Sequence, residues 1–462
     1  MKVLLLNPYR DINRYVPQHL RSYVSFTPAN IGRYSILPLD FAYLAGVLRD
    51  KVDVSILDAH ALALHPEDIN LKPYDVVVVN TAPYSHWRCS QTFVGHVHES
   101  IHAAHQAGAR AIVYGPHATV APDDFSEADC VIIGEPEGVI EQALEGNDRR
   151  LGPKYLEILA EPNYELFDFF LYDSRRCEQI FEKLPFGRVG VLMCSRGCPF
   201  NCRFCFRVLA PFKIRSHSLT SMEKILHQLI EVQGCKCLFF EDLTFTLDKK
   251  QTIELCRLLG RYKVPYVIQT RVDCVDEEIA VALAHSGCYK IELGVESAVN
   301  SVLEEFNKQI VWTDVERAVN ICRQQGIPRV IAFAGIFAPG ETRRTIEETR
   351  RKFHRLGLRF YPNIWFPYPG TILYEKAVQD GLISNIGADW TKLLLLAGTI
   401  GTNYTADHLR QICQQIEYSE WIREKMLKIP HVIKRIGKTL VTVQAIYQKC
   451  KKGDKEIRVI WR

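Results

Sequence analysis

Four cysteines fall within the fourteen residues Met193–Phe206, MCSRGCPFNCRFCF, at Cys194, Cys198, Cys202 and Cys205. The last three have the spacing Cys-x3-Cys-x2-Cys, directly after a predicted strand. Three soft thiolates on one loop can hold three corners of a cubane iron–sulfur cluster and leave one iron open to an outside ligand. Gly197, Pro199 and Asn201 suit the tight turns of a loop wrapped around such a group. The competing chemistry is a structural zinc site, which normally closes with four ligands. Cys194 is the only nearby candidate for a fourth ligand. It sits within the strand, however, and four extended residues reach ~13 Å, too far unless the strand ends early.

The surrounding chain divides into elements able to carry such a loop. Residues 1–150 alternate short β-rich runs (KVLLLNP, VDVSILDA, YDVVVVNT, ARAIVYGPH, DCVIIGE) with helical patterns, as in a Rossmann-like, flavodoxin-like open parallel sheet. Tyr9–Pro38 separates the first strand from its helix and reads as a functional loop or lid. Residues 151–187 form a connector broken at Gly152-Pro153 and Glu161-Pro162. From 188 to 385 six further strand-like runs (GRVGVLMCS, KCLFFEDLTF, YVIQTRVD, KIELGVES, RVIAFAGIFAPG, FYPNIWFPYPG) alternate with helices. This pattern predicts a partial (β/α)6 barrel with its site at the strand C-termini. SLTSMEKILHQLIEVQG is the clearest helix, with a Ser or Thr cap and a closing glycine. Residues 386–462 read as helical. The fold class is therefore α/β, with two successive parallel sheets and a helical end.

Composition narrows the function. A net charge of +4 over 462 residues gives no electrostatic argument for nucleic acid, and none is expected as a partner. MKVLLLNPYR is too short an apolar run for a signal peptide and reads as a buried strand. Fifteen cysteines without framework spacing fit free thiols in a reducing cytoplasm. From Trp421 to Arg462, twelve Lys or Arg stand against three acidic residues, and Ile429, Val432, Ile433, Ile436, Leu440 and Val443 recur at helical spacing. One reading places this basic helix on an anionic membrane surface. The preferred one packs it on the barrel with a solvated basic face.

The motif together with its strand context resembles the radical S-adenosylmethionine (radical SAM) superfamily. The resemblance covers nearly the whole chain. It implies a [4Fe–4S] cluster on Cys198, Cys202 and Cys205, with S-adenosylmethionine chelating the open iron and Cys194 a bystander. Phe204 matches the aromatic position near the adenine. Glu241 and Asp242, in FFEDLTF, match acceptors for the methionine ammonium, which a carboxylate would hold by a charge-assisted hydrogen bond. Arg271 would meet the methionine carboxylate or a substrate anion. Glu296, in GVES, matches a position near the ribose hydroxyls. Gly335 and Gly340, in GIFAPGET, match the Gly-rich segment against the adenine. Each such residue taken singly is equally consistent with a surface cap or ion pair; their recurrence at successive strand ends carries the reading.

The first domain resembles the subgroup with an N-terminal cobalamin-binding domain, through LPLDFAYLAGVLRD, YGPHATVAPDDF and IIGEPEGVIEQAL, and through WFPYPGTILYEKAVQDGLI late in the barrel. Thr81 and Gly115 are then neighbours of the corrinoid tail. The loop that supplies an Asp-x-His-x-x-Gly cobalt ligand elsewhere reads DINRYV here, with Asn13 and Val16 in place of histidine and glycine. An amide is a poor cobalt ligand beside imidazole. Cobalamin would bind without that histidine, or the domain would be an empty relic. His86 and Trp87, after the third strand, and His117, after the Gly115-Pro116 turn, are candidates for the substrate or corrinoid rim, although rim histidines are commonly structural.

The implied activity is reductive cleavage of S-adenosylmethionine to a 5′-deoxyadenosyl radical. That radical would take hydrogen from a small-molecule, natural-product or lipid-like substrate, with cobalamin-dependent methylation at carbon as outcome. A flavodoxin- or ferredoxin-like protein would donate the electron. The alternative within the family is radical chemistry without methyl transfer. The alternative outside it is a zinc-stabilised binding protein.

Overall fold

Strand β1 (Lys2–Asn7) carries the run LLL with every residue after Lys2 buried, and β3 (Val76–Asn80) is buried along its whole length. Strands apolar on both faces need a parallel sheet covered by helices on each side, and this is what forms. A computed structural model describes residues 1–20, 36–82, 93–173, 186–206, 213–339, 341–381, 383, 393 and 406–427. With β2 (Asp53–Asp58), β4 (Arg110–Tyr114), β5 (Cys130–Ile132) and β6 (Arg150–Leu151), the first sheet has the order β2-β1-β3-β4-β5-β6. Every pairing in it is parallel. The order reverses between β1 and β3, the flavodoxin-like switch point at whose C-terminal edge ligands bind.

In the second half, β7 (Val189–Leu192) is followed by a short antiparallel ribbon, β8 (Ser195–Arg196) paired with β9 (Arg215–Ser216). The six-stranded parallel sheet then continues through β10 (Cys237–Phe240), β11 (Tyr266–Arg271), β12 (Cys288–Glu296), β13 (Arg329–Ile336) and β14 (Tyr361–Ile364). Its order, β7-β10-β11-β12-β13-β14, follows the chain, as in an open partial barrel. The intervening helices begin where short polar side chains cap them. Ser218, Asp248, Asp276 and Thr342 each accept a hydrogen bond from the backbone N–H three residues on. The helix expected over 218–234 runs as α-helix through Leu219–His227 and widens to a π-turn over Gln228–Val232.

Contacts divide the chain into the units Met1–Gln411 and Ile412–Arg462, so both sheets share one unit. The connector is the physical reason, because it is stitched to both sides. Asn163 N donates to Ala42 O at 2.7 Å and Tyr172 OH to Asp58 Oδ2 at 3.0 Å on the first half. Tyr164 OH donates to Val191 O on β7 at 2.8 Å. The last described element is the helix Ala406–Leu427. The basic stretch from 428 onward lies outside the described residues.

Candidate functional site

At the C-terminal ends of the barrel strands lies a cavity of about 290 Å3 whose wall includes Cys198, Cys202, Cys205, Phe204, Glu296 and Lys308. Cys198 and Cys202 are buried and Cys205 is half-buried. The loop's shape comes from local turns: Gly197 has φ +103°, in the left-handed region, and Cys205 N donates to Cys202 O at 3.1 Å. The 305–308 segment braces it. Asn307 Nδ2 donates to Asn201 O at 2.8 Å, and Arg203 donates from its backbone to Phe306 O and from its side chain to Glu305 O.

Cys194 stands apart from this group. Its thiol donates to Asp242 Oδ1 at 2.9 Å, and burial, then the nearby Asp242 charge, push its pKa well up. It is therefore held as a protonated thiol. Asp242 also accepts from Cys194 N, Ser195 N and Ser195 Oγ at 2.9, 2.6 and 2.7 Å. Burial raises its own pKa against these bonds. Its carboxylate thus pins the stem of the cysteine loop and is not on the cavity wall. Nor is Glu241, whose N–H donates to Leu192 O; Leu243 and Thr244 of the same loop line the cavity instead.

Arg271 lines the cavity, and four of its five guanidinium N–H groups are engaged. It forks onto Asp273 at 2.9 and 2.8 Å, donates to Lys308 O at 2.7 Å and to Cys202 Sγ at 3.5 Å, and stacks 3.7 Å from the Phe200 ring centre. Lys308, which the sequence reading missed, is the cation facing Glu296, at 3.1 Å. Burial works against its charge, but Glu296 and Cys202 outweigh this and raise its pKa. Glu296 reaches the wall because β12 slips register between Gly294 and Glu296 and the backbone turns to φ +70° there. Phe204 meets Phe306 edge-on at 4.9 Å and lies 5.5 Å from Lys308 Nζ. Gly335 lies on the wall near Glu296, and Gly340 lies outside the described residues.

Glu341 is 3% exposed; Oε2 accepts from Ala338 N at 3.0 Å and Oε1 has no partner. Burial pushes its pKa up from 4.5 to about 7, so between those values the folded chain binds more protons than the unfolded one. Stability therefore falls as pH rises through this window. Glu341→Gln is expected to flatten that slope and to stabilise the protein at pH 8 by about 3 kcal/mol. Urea unfolding at pH 5 and pH 8 measures both, and an unchanged slope would refute the assignment.

In the first sheet, Thr81 and Gly115 touch: a Cβ on Gly115, at φ +116°, would sit 2.5 Å from Thr81 Oγ1. Asn7 Oδ1, Asp40 Oδ1, Asn80 Oδ1 and both ring nitrogens of His96 are buried without hydrogen-bond partners. Asn7 ends β1 and Asn80 ends β3, the two strands that flank the switch point. His96 carried no motif that could have marked it. His117 turns inward, with Nε2 2.8 Å from Asp124 Oδ2 and its ring edge-on to Phe125. His86 and Trp87 lie outside the described residues. Asn13 sits in the one-turn helix Ile12–Tyr15, its N–H donating to Asp11 Oδ1 at 2.9 Å.

Among the described residues no three His, Cys, Asp or Glu side chains converge closely enough for one metal ion. A single zinc would need its donors within about 2.0–2.3 Å of one point; corners of a cubane are spread more widely.

A parallel partial barrel with three cysteines on the loop after its first strand is the architecture of a radical SAM domain. Residues 192–353 match the Radical SAM superfamily profile, and the cofactors that match implies are a [4Fe–4S] cluster and S-adenosylmethionine. It is 28% identical to an uncharacterized methyltransferase of Pyrococcus horikoshii, over 84% of this chain and 89% of that one. It is 25% identical to the bacteriochlorophyllide d C-8(2)-methyltransferase of Chlorobaculum tepidum, over 62% of this chain and 65% of that enzyme. Its fold is similar to that of TsrM from Kitasatospora setae, a radical S-adenosylmethionine methyltransferase solved with cobalamin and a [4Fe–4S] cluster. The TM-score is 0.60 at 18% identity, covering 85% of this chain and 81% of that one.

Proposed function

We propose that this chain is a cobalamin-dependent radical SAM methyltransferase that methylates an unreactive carbon of a small molecule, with natural-product or lipid-like substrates as the class. The observation that carries the reading is the pairing of two sites in one compact unit. One is the cavity with three cysteines on its wall; the other is a flavodoxin-order sheet whose switch point is edged by buried, unpartnered polar atoms. Buried polar atoms without partners are costly, and a polar ligand at that edge would satisfy them.

The residues present fit the groups this reading needs. Cys198, Cys202 and Cys205 would hold the cluster. Lys308 and Glu296, with Phe204, offer a cation, an anion and a ring face to S-adenosylmethionine. Gly115 packs directly on Thr81, where a Cβ would collide with its hydroxyl, and these two residues would neighbour the corrinoid tail. Asn13 supplies no imidazole, so cobalamin would bind without a first-loop histidine. When bound, cluster and S-adenosylmethionine supply the 5′-deoxyadenosyl radical and cobalamin the methyl group. The chain's own part is to orient the sulfurs through the 305–308 brace, to position S-adenosylmethionine through Lys308 and Glu296, and to keep solvent from the radical with an aromatic wall. A flavodoxin- or ferredoxin-like protein is the electron donor in this reading. No described helix is long and apolar enough to cross a membrane.

Protein produced anaerobically with cobalamin supplied is expected to retain about one corrinoid per chain through gel filtration. Iron-loaded, folded protein free of corrinoid would overturn the methylation reading and leave radical chemistry without methyl transfer.

A further inference from the structure

A buried charge cluster joins the first sheet to the cysteine loop, and the chemistry above does not use it. Glu135 and Glu137 leave β5 in a turn that begins at Gly134, with φ +86°. Arg196 and Arg215 are register partners across the β8–β9 ribbon. They therefore stand at the two ends of the loop that carries all three cysteines, Arg196 two residues before Cys198. Arg215 forks onto Glu135 at 2.9 and 2.5 Å and also donates to Leu156 O. Arg196 reaches Glu137 at 2.8 Å and Glu135 at 3.5 Å, so one carboxylate touches both ends of the loop. All four side chains are at most 7% exposed.

The cluster extends toward the loop's stem. The Arg196 guanidinium lies 4.1 Å over the Tyr43 ring, and Tyr43 OH is 3.0 Å from His217 Nε2. His217 N donates to Cys194 O at 2.9 Å. Buried ion pairs seldom repay their desolvation, and apolar side chains of equal volume would often be more stable. What such pairs do provide is a fixed geometry, since each fork has one satisfactory arrangement.

We propose that Glu135 is a positioning residue for the cluster: it holds both ends of the cysteine loop from the first domain and so sets how the loop presents the open iron to S-adenosylmethionine. The proposal rests on Cys198, Cys202 and Cys205 being the cluster ligands. It makes the first domain a structural determinant of the barrel's chemistry as well as a cofactor carrier.

The test uses the full chain, reconstituted anaerobically, as wild type, Glu135→Gln, and the apolar double variant Glu135→Leu/Arg215→Met. Melting temperature, iron per chain, the EPR spectrum of the reduced cluster with and without S-adenosylmethionine, and its Kd are measured on each. Glu135→Gln is expected to load iron but to show a weakened spectral response and a Kd raised on the order of tenfold or more. The double variant should recover melting temperature while Kd stays raised. A double variant with wild-type Kd and spectra would overturn the proposal and reduce the cluster to packing, including where Glu135→Gln fails to fold. Wild-type protein that binds no cluster would instead defeat the ligand assignment, and that result needs no variant.

Discussion

Cys202→Ala is expected to yield a folded chain that retains little cluster iron and forms no 5′-deoxyadenosine, whereas Cys194→Ala keeps about four irons per chain. The two sulfurs lie close in sequence but in different chemical settings. Cys202 Sγ is on the cavity wall and accepts a hydrogen bond from Arg271 Nη1 at 3.5 Å. Cys194 Sγ faces a buried carboxylate that favours a thiol. Removing the Cys194 thiol takes one of four donors from Asp242, at a cost of about 1–2 kcal/mol in stability. Cys194→Ser keeps a donor and should cost less. Iron, sulfide and product assays after anaerobic reconstitution separate the cases. Iron lost from the Cys194 variant, with Cys202→Ala intact, would transfer the ligand role and reopen the zinc alternative.

The strands were legible because burial on both faces leaves a continuous apolar run, as in VVVVN of β3, and the caps because Ser, Asp and Thr satisfy orphan N–H groups locally. The cysteine spacing is local too, so its loop could be read directly. What escaped depends on contacts between distant segments. The β8–β9 ribbon is two residues on each side, too short for any periodicity, yet it sets the two ends of the cysteine loop. Lys308 meets Glu296 at the point where β12 slips register, a pairing between segments that no local pattern marks. Glu241 and Asp242 stand at the expected strand end. Neither lines the cavity, and neighbours decide it: the N–H groups at Cys194 and Ser195 hold Asp242. His117 follows the right turn, but Asp124, seven residues on, draws it inward.

Arg271→Met is expected to lower the cluster's midpoint potential by on the order of 50–100 mV while leaving iron bound. The sequence points this arginine at the methionine carboxylate or a substrate anion, but four of its five N–H donors are directed elsewhere. Two fork onto Asp273, one meets Lys308 O, and Nη1 points at Cys202 Sγ, with the plane fixed against Phe200. A cation held beside a ligand sulfur stabilises the reduced, more negative cluster. Methionine keeps much of the length and removes the charge, so reduction becomes harder and cleavage of S-adenosylmethionine slows with a donor of fixed potential. Arg271→Lys keeps the charge without the fork, and the shift should be smaller but present. An EPR-monitored redox titration reads the potential, and equilibrium binding reads the cofactor contact. If the Met variant keeps its potential and loses affinity for S-adenosylmethionine, Arg271 turns to the cofactor on binding and the carboxylate contact stands. If the potential falls and affinity holds, the arginine tunes the cluster, and Lys308 is the cation left on the wall to receive the cofactor's carboxylate.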